Sequence, residues 1–280
     1  MSRPTITALI HTRNEERWIE GCVRAVAWAD ETVVADMASN DRTRELATGV
    51  GARVIDVPVA RNVEEVRNEA MAQCRGDWLL VVDADEIVSP GLRDRVLATV
   101  AAPGADAYWV PRRNYFFETW LEHIQWPDPQ LRLFRRGVAH WSGVVHEPPS
   151  IAGTVAHLPA EPEAALEHPG CCFDMGKFLE KYQRYAALEG RRTDHIPDTN
   201  LVQYLLRRPL SEFLGRYGGG GWRHGVPGLV FCLLLMNYQF MIGAHLWADR
   251  RSRLAPVAPA QVRRTLRWEL LRTALKAWRP

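Results

Sequence analysis

The sequence lacks the marks of several common protein classes. No Gly-X-Gly-X-X-Gly pattern follows the first predicted strand, which disfavours a dinucleotide-binding site. The five cysteines include no Cys-X-X-Cys pair, so a reduced protein facing the cytosol is the simplest interpretation. A net charge of +2 gives no sign of a nucleic-acid-binding protein. The first residues show no basic region followed by a long apolar run, and we therefore expect no signal peptide.

Strand and helix signals alternate through the first half of the chain, up to about residue 111. The predicted strands are residues 5–10, 32–35, 53–57, 78–82 and 107–110. The predicted helices are residues 16–28, a segment between the capping residues 39–41 and Gly51, residues 63–74, and a helix that begins at Ser89-Pro90. This alternation predicts an α/β fold with a mainly parallel, doubly wound sheet.

The most informative stretch is the apolar run 78–82, which leads directly into Asp83, Ala84, Asp85 and Glu86. A short, continuously apolar run is typical of a strand buried on both faces. The acidic cluster then lies at the carboxyl end of a central strand, where open α/β sheets bind ligands. Two carboxylates at this position could hold a divalent cation, and the cation could hold a diphosphate. The alternative interpretation is an acidic turn after a strand.

Three other groups of polar residues should converge on the same edge of the sheet. Residues 11–16 follow the first predicted strand, Asp36 follows the second, and Arg67 with Asn68 lies on the helix before the central strand. A base or ribose needs acceptors such as aspartate, and a diphosphate needs cations. Asp36 could instead be a simple helix-entry residue, and Arg67 and Asn68 could form a solvated helix face.

The combination of these motifs resembles the family 2 inverting glycosyltransferases of the GT-A fold. The motifs that carry the resemblance are Thr12-Arg13-Asn14-Glu15-Glu16, Val33-Val34-Ala35-Asp36 followed by Ser39-Asn40-Asp41-Arg42-Thr43, Arg67-Asn68, and Asp83-Ala84-Asp85. The resemblance is greatest to the bacterial branch that adds sugars to the lipopolysaccharide core, typified by the core β-1,4-glucosyltransferases. It covers the first half of the chain closely, and the combined motifs are specific although no single one is.

The resemblance implies a role for each matching residue. Asp36 would contact the nucleotide base, although Met37 departs from the serine usual after that aspartate. The loop of Thr12, Arg13, Asn14 and Glu15 would line the nucleotide pocket, with Arg67 and Asn68 beside it. The motif Asp83-Ala84-Asp85 would bind ribose through Asp83 and Mg²⁺ or Mn²⁺ through Asp85, with Asp83 as a further metal ligand.

Residues 112–147 are rich in aromatics and arginine and should hold the acceptor and the catalytic base. Inverting transfer needs one base to take the proton of the acceptor hydroxyl, and Glu147 is the predicted base, with Asp128 as the second candidate. Glu147 could alternatively form a loop salt bridge. His146 could hydrogen-bond Glu147 or the acceptor, or fill a strand edge.

Further predictions concern the same region. Arg132 and Arg135 could hold the diphosphate or an anionic acceptor, or they could be rim arginines without function. His157 and His168 are possible third metal ligands, although lone histidines are more often structural. Residues 131–134 and 138–141 are predicted to pair as a hairpin around Gly137.

The last third of the chain predicts a helical extension associated with a membrane. Residues 225–248 contain no Asp, Glu, Lys or Arg and could span a bilayer, but a helix lying in the interface or packed under the catalytic domain fits their polar and glycine interruptions better. Residues 260–279 read as a basic amphipathic helix that binds anionic lipid, or as an ordinary docked terminal helix. Glycines 218–221 predict a flexible break.

The sequence therefore predicts a GT-A catalytic domain over residues 1–160 and a helical extension over residues 161–280. We expect transfer of a hexose from a nucleotide sugar, UDP-linked by preference, to a glycolipid or saccharide hydroxyl at the cytoplasmic face of the inner membrane. The protein would be peripheral or monotopic there. Two alternatives stay open: transfer to polyprenyl phosphate, and a non-catalytic nucleotide-sugar-binding membrane factor.

Overall fold

The computed structural model describes residues 3–144, 147–191, 201–252 and 258–277. The chain divides into two compact units. The first consists of Met1–Trp120 with Gln125–Cys171, and the second of Leu121–Ile124 with Cys172–Pro280. The domain boundary near residue 160 stays a prediction.

A mixed seven-stranded sheet forms the centre of the first unit. Its order is β12-β6-β9-β4-β1-β2-β3. The strands are β1 Ile6–Thr12, β2 Glu31–Asp36, β3 Arg53–Asp56, β4 Trp78–Asp83, β6 Ala107–Val110, β9 Gln130–Arg135 and β12 Val155–His157. All pairs are parallel except those of β9, which runs antiparallel to both β4 and β6.

The two central strands are apolar on both faces because helices cover both sides of the sheet. Alternate residues of β1 and β4 belong to two separate buried clusters, with Ile10 and Val82 in one and Leu9 and Val81 in the other. Helices α1 (Ile19–Ala25), α2 (Thr43–Gly49) and α4 (Pro90–Ala101) contribute side chains to the first cluster, and α3 (Arg67–Ala72) contributes to the second. The predicted α/β class is confirmed.

A smaller four-stranded sheet, in the order β5-β13-β7-β8, lies in the same unit. Its strands are β5 Ile87–Val88, β7 Arg112–Phe116, β8 Thr119–Trp120 and β13 Leu166–Cys172. Because β5 begins four residues after Asp83, this sheet starts where the central strand β4 ends. It therefore brings residues from β7 and β13 toward the acidic motif.

Two sequence predictions differ from the structure. The predicted hairpin of residues 131–134 and 138–141 is wrong, because both edges of β9 are already occupied by β4 and β6. Residues Ala139–His140 form β10 and pair with β11 (Ser150–Ile151) instead. The predicted helix 63–74 consists of a 3₁₀ turn, Val63–Glu65, followed by α3.

Helices make up most of the second unit. They are α6 Met175–Arg191, α7 Leu201–Gly218, α8 Gly225–Arg250 and α9 Pro259–Ala277, while a short helix α5 covers Glu122–Gln125. The helix α7 contains Pro209 in its interior. The predicted break at glycines 218–221 is the connection where α7 ends and a 3₁₀ turn, Gly221–His224, begins.

The helix α8 packs by one side only. Gly243 lets α7 approach closely, since a Cβ at this position would lie 2.9 Å from Cδ2 of Leu205. Phe231 is fully buried and its ring lies 6.3 Å from that of Phe178 on α6. Four large apolar side chains point outward at seven-residue intervals: Val226, Leu233, Phe240 and Trp247 are 71%, 40%, 48% and 49% exposed.

Candidate active site

The loops after β1 and β2 are joined by side-chain and backbone hydrogen bonds. The Asn14 amide N–H donates to Oγ of Ser39 at 2.9 Å, and the Asn40 amide N–H donates to Oδ1 of Asn14 at 2.8 Å. The Glu15 amide N–H donates to Oγ1 of Thr43 at 2.8 Å. Asn14 adopts a φ of 58°, which asparagine tolerates better than most residues. The structure thus brings the two predicted nucleotide-binding loops together at one edge of the sheet.

The predicted base-contacting residue Asp36 is fully buried and already has local partners. It accepts hydrogen bonds from Ser39 and from Nη1 of Arg44 at 2.8 Å. Thr12 lies beside it in the sheet register and is also buried, with no hydrogen-bond partner for its hydroxyl among the described residues. Arg13 is exposed.

Asp83 lies between two buried arginines. Nη2 of Arg67 donates to its Oδ1 at 2.8 Å, and Nη2 of Arg132 donates to its Oδ2. Burial alone would raise the pKa of Asp83, but the charges of Arg132 and Arg67 outweigh it and hold the pKa well below its usual range. Arg67 is buried, so it does not belong to a solvated helix face. The Asp83 carboxylate compensates its charge, which would otherwise be an unpaired buried cation.

The ion pairs continue from Asp83 across the small sheet. Nη2 of Arg132 lies 3.9 Å from Oε1 of Glu86, and Nη1 of Arg112 donates to the same oxygen at 2.8 Å. Nη2 of Arg112 donates in turn to Oδ2 of Asp128 at 2.7 Å. Burial favours a raised pKa for Asp128, but Arg112 and the hydrogen bond from Asn114 outweigh it and lower the pKa. Asp128 is thus a carboxylate whose Oδ2 already accepts several hydrogen bonds.

The chain of contacts returns to the acidic motif through Asn114 and His168. Nδ2 of Asn114 donates to Oδ2 of Asp128 at 2.8 Å, and its Oδ1 lies 2.7 Å from Nδ1 of His168. Nε2 of His168 lies 3.3 Å from Oδ2 of Asp85. Asp83 and Asp85, two residues apart in the sequence, are therefore connected by a chain of polar contacts, which we call the polar loop. Its members are Asp83, Arg132, Glu86, Arg112, Asp128, Asn114, His168 and Asp85.

Asp85 and His168 form a donor pair suited to Mg²⁺ or Mn²⁺. Carboxylate oxygen and imidazole nitrogen are both ligands that Mn²⁺ accepts, and Mg²⁺ commonly uses one or two carboxylates together with phosphate oxygens. The backbone of β13 holds the pair tightly, because a Cβ at Gly170 would lie 2.3 Å from Cβ of Asp85. Among the residues that the structure describes, no group of three His, Cys, Asp or Glu side chains could hold a metal ion. A cation here would need further oxygens from the substrate.

The other predicted site residues have different surroundings. The side chain of Asn68 binds the backbone of Trp141 twice, at 2.8 and 3.0 Å, and Arg67 lies over the Trp141 ring at 5.2 Å. Glu147 is exposed and accepts a hydrogen bond from Ser142. His146 lies outside the described residues.

Two residues lie away from the acidic motif. His157 stacks on Trp109 at the edge strand β12, and Arg135 pairs with Asp106 at 3.1 Å. The sequence analysis did not identify Glu86, Arg112 and Asn114 as site residues. The alternation of Arg112 and Asn114, which puts both on one face of β7, was the available signal.

The chain matches the family model described as "Glycosyl transferase family 2" over residues 7–153, more than half of its length. The lipopolysaccharide core biosynthesis glycosyltransferase LpsC of Rhizobium meliloti is 26% identical, with 90% of this chain and 95% of LpsC covered. An uncharacterized glycosyltransferase of Rickettsia bellii is 36% identical, with 37% of this chain and 35% of that protein covered. A TPR repeat-containing protein of Synechococcus elongatus is 40% identical over 26% of this chain and 19% of its own length. The chain thus spans about a third or less of these last two relatives.

Among solved structures, the glucosyl-3-phosphoglycerate synthase of Mycobacterium tuberculosis in complex with Mn²⁺, uridine diphosphate and glucosyl-3-phosphoglycerate is 24% identical. The match covers 40% of this chain and 44% of that one, with a TM-score of 0.34. The family match over most of the first unit confirms the resemblance predicted from the motifs: the chain belongs to glycosyl transferase family 2.

Proposed function

We propose that the protein is an inverting glycosyltransferase that moves a hexose from a nucleotide sugar to a hydroxyl of a glycolipid such as a lipopolysaccharide core precursor. UDP is the nucleotide that we favour for the donor. The observation that carries the proposal is the polar loop, in which Nε2 of His168 lies 3.3 Å from Oδ2 of Asp85 near the carboxyl end of β4, and this contact supports a cation site there. LpsC, a lipopolysaccharide core biosynthesis glycosyltransferase, is similar to the chain over nearly its whole length, and this similarity supports the acceptor class.

The donor would lie along the edge formed by β1, β2 and β4. Asp36 would meet the base and Asp83 the ribose, and the loop of Thr12 to Glu15 would close the pocket. The hydroxyl of Thr12 is buried at this edge and has no hydrogen-bond partner among the described residues. Because Arg67 and Arg132 already pair with Asp83, we assign them to the positioning of this carboxylate rather than to a direct phosphate contact.

Asp85 and His168 would hold Mg²⁺ or Mn²⁺, and phosphate oxygens of the donor would complete the ligand set. Asp83, the other metal ligand predicted from the motif, has both oxygens engaged by Arg67 and Arg132. When bound, the ion would supply positive charge at the diphosphate leaving group. The protein's own share of this function is to fix both ligand side chains, through Gly170 behind Asp85 and Asn114 behind His168.

The attack on the anomeric carbon needs a proton acceptor at the acceptor hydroxyl. Glu147 stays our first candidate, because its exposed carboxylate accepts a hydrogen bond from Ser142 and lies on a loop that a substrate can reach. Asp128 is the second candidate. Its Oδ2 accepts from Arg112 and Asn114, which favours a role in holding those two side chains.

A lipid acceptor requires contact with a membrane, and the second unit offers a suitable face. Gly221–Arg250 is the one segment, among the described residues, that is long and apolar enough to cross a bilayer. The side of α8 opposite its four exposed apolar residues is buried against other helices. This burial favours a helix that lies in the interface of the cytoplasmic leaflet over a helix that spans the bilayer. The exposed stripe of α8, formed by Val226, Leu233, Phe240 and Trp247, ends at an interfacial tryptophan. Exposed arginines on α9, among them Arg263 and Arg264, would contact anionic lipid.

The first experiment is a thermal-shift panel of nucleoside diphosphates and nucleotide sugars, with and without Mn²⁺, on the whole protein. We expect one nucleotide class to stabilise it only with metal, by about 2.7 kcal/mol at a hundred times the dissociation constant. Asp85→Asn should lose this shift, whereas the surface variant Asp94→Asn should keep it. No shift with any nucleotide would contradict the proposal.

The second experiment measures sugar transfer from the selected donor to truncated core lipopolysaccharide, with the anomeric configuration of the product determined by NMR. Loss of a general base should lower kcat by about 10²–10⁴-fold in Glu147→Gln, with donor affinity retained. If Asp128→Asn shows that loss instead, the base assignment moves to Asp128. Full activity in both variants would point to an acceptor that is already an anion.

A further inference from the structure

Asn114 is a buried residue that contacts both halves of the site. It lies on β7 with 3% of its surface exposed, and its side-chain amide uses both of its ends. Nδ2 donates to Asp128 at 2.8 Å, and Oδ1 lies 2.7 Å from Nδ1 of His168. A buried amide with both ends engaged is held in one orientation.

The partners determine where the protons are. The pKa of Asp128 is lowered by Arg112, so its carboxylate can only accept and the amide must present its NH₂ group to it. The amide oxygen therefore faces His168. Because that oxygen has no proton to give, Nδ1 of His168 must carry the hydrogen of this 2.7 Å contact.

With the proton fixed on Nδ1, the opposite nitrogen is available for another task. Nε2 of His168 lies 3.3 Å from Oδ2 of Asp85, which is a carboxylate acceptor. Two acceptor atoms that face each other need a positive group between them, either a proton or a cation. Metal-binding histidines characteristically donate their other N–H to an oxygen of the protein, which fixes the ring and its tautomer.

We infer that Asn114 is a positioning residue for the cation: it holds His168 in the tautomer and orientation in which Nε2 faces the ligand position beside Asp85. This inference rests on the proposed metal site and names a residue that the motifs do not contain. It also gives Asp128 a second role, because this carboxylate fixes the amide of Asn114, which in turn fixes the imidazole.

Three variants separate the two hydrogen bonds of Asn114. Asn114→Ala removes both the donor to Asp128 and the acceptor for His168. Asn114→Asp removes the donor but keeps an acceptor for the Nδ1 proton. Gln130→Ala is the matched control, since Nε2 of Gln130 donates to Oδ1 of Asp128 at 3.1 Å, so that this variant removes a donor to Asp128 but leaves the amide of Asn114 in place.

The first readout is the ring N–H signal of His168 in nitrogen-15 NMR of the metal-free protein, assigned with His168→Gln. A buried 2.7 Å hydrogen bond should slow exchange enough for this signal to be seen in wild type, Asn114→Asp and Gln130→Ala, and it should disappear in Asn114→Ala. The second readout is the Mn²⁺ dissociation constant from electron paramagnetic resonance at saturating UDP. It should rise about 10- to 100-fold in Asn114→Ala and stay within about threefold in the other two variants.

An Asn114→Ala protein with a native melting curve, a visible His168 N–H signal and wild-type Mn²⁺ affinity would overturn the inference. If Asn114→Ala does not fold, Asn114→Leu takes its place, and a visible His168 N–H signal with wild-type Mn²⁺ affinity in that variant would overturn the inference equally. A wild-type protein that shows the N–H signal but binds no Mn²⁺ with UDP would contradict the proposed metal site, while the hydrogen bond from His168 to Asn114 would stand. The failures of the two proposals are thus distinguishable.

Discussion

Asp83 shows how a single carboxylate is kept ionised in a partly buried position. Its side chain is 28% exposed, and the guanidinium groups of Arg67 and Arg132 contact its two oxygens. Both arginines are almost fully buried, so each needs this carboxylate as much as the carboxylate needs them. Protonation of Asp83 would remove the carboxylate that contacts both buried cations, leaving Arg132 only the 3.9 Å contact with Glu86.

The lowered pKa of Asp83 predicts a stability that depends on acid. The pKa of Asp83 is lower in the folded than in the unfolded protein. The contribution of Asp83 to the free energy of unfolding is therefore fully present above the unfolded-state pKa, near 3.9, and is lost as pH falls through the folded-state pKa. Asp83→Asn should therefore lower the free energy of unfolding at neutral pH and flatten its decline below about pH 5. Urea unfolding between pH 7 and pH 3 measures this.

Asp94→Asn is the control for that experiment. Asp94 pairs with Arg93 on the surface, where ion pairs contribute little, and its pH profile should follow the wild type closely. If Asp83→Asn and the wild type lose stability in parallel toward acid, the acid dependence has its origin elsewhere in the chain.

At the level of elements, α8 is buried on one side and apolar on the other. Seven residues correspond to almost two full helical turns, so Val226, Leu233, Phe240 and Trp247 lie along one line of the helix surface. Isolated exposed apolar residues are normal, but a continuous stripe of them marks an interaction surface. We have proposed a bilayer interface as its partner.

Leu233→Glu combined with Phe240→Glu should weaken binding of the protein to anionic phosphatidylglycerol vesicles at least tenfold, because it places two charges where acyl chains would lie. Co-sedimentation measures the effect. Val59→Glu is the control, since Val59 is 57% exposed in the first unit and lies outside the stripe. Unchanged sedimentation of the double variant would remove the stripe from the membrane contact.

The strands of the large sheet show how much of the fold the sequence could predict. The strands β1 and β4 could be predicted because both are continuously apolar, and the N-cap of α4 because Ser89 precedes Pro90. Residues 131–134 were also predicted as a strand, but the insertion of β9 between β4 and β6 could not be predicted, because nothing local in its sequence specifies its partners.

The site was predictable to a similar degree. Asp83 and Asp85 could be recognised because they follow a buried strand, and this placement is local. The contacts of Arg112 and Asn114 depend on how β7 and β13 meet the end of β4, which is tertiary information. Arg67 could be interpreted as a solvated residue because a helical pattern does not reveal a buried partner.

For the molecule as a whole, the division into two units has a measurable consequence. The proposed donor site consists of residues of the first unit, and the proposed membrane face consists of residues of the second. A ligand that binds only the folded state slows local opening around its own site.

UDP with Mn²⁺ should therefore protect amides of β1, β4, β7 and β13 from hydrogen exchange, measured by mass spectrometry, and leave α8 unchanged. Anionic vesicles should show the reverse pattern, with protection in α8. Chelation of Mn²⁺ with EDTA should abolish the first pattern only. Protection of α8 by UDP and Mn²⁺ alone would show that the two functions are not separate.

The polar loop has one more consequence, which concerns electroneutrality. Its two arginines, together with Arg67, face the four carboxylates of Asp83, Asp85, Glu86 and Asp128, so the formal charges of these side chains leave one negative charge in excess. A nucleoside diphosphate sugar adds two more. The donor should therefore enter as a complex with its divalent ion, as one nearly uncharged body, and the free concentration of that ion in the cell would govern how tightly the donor is held.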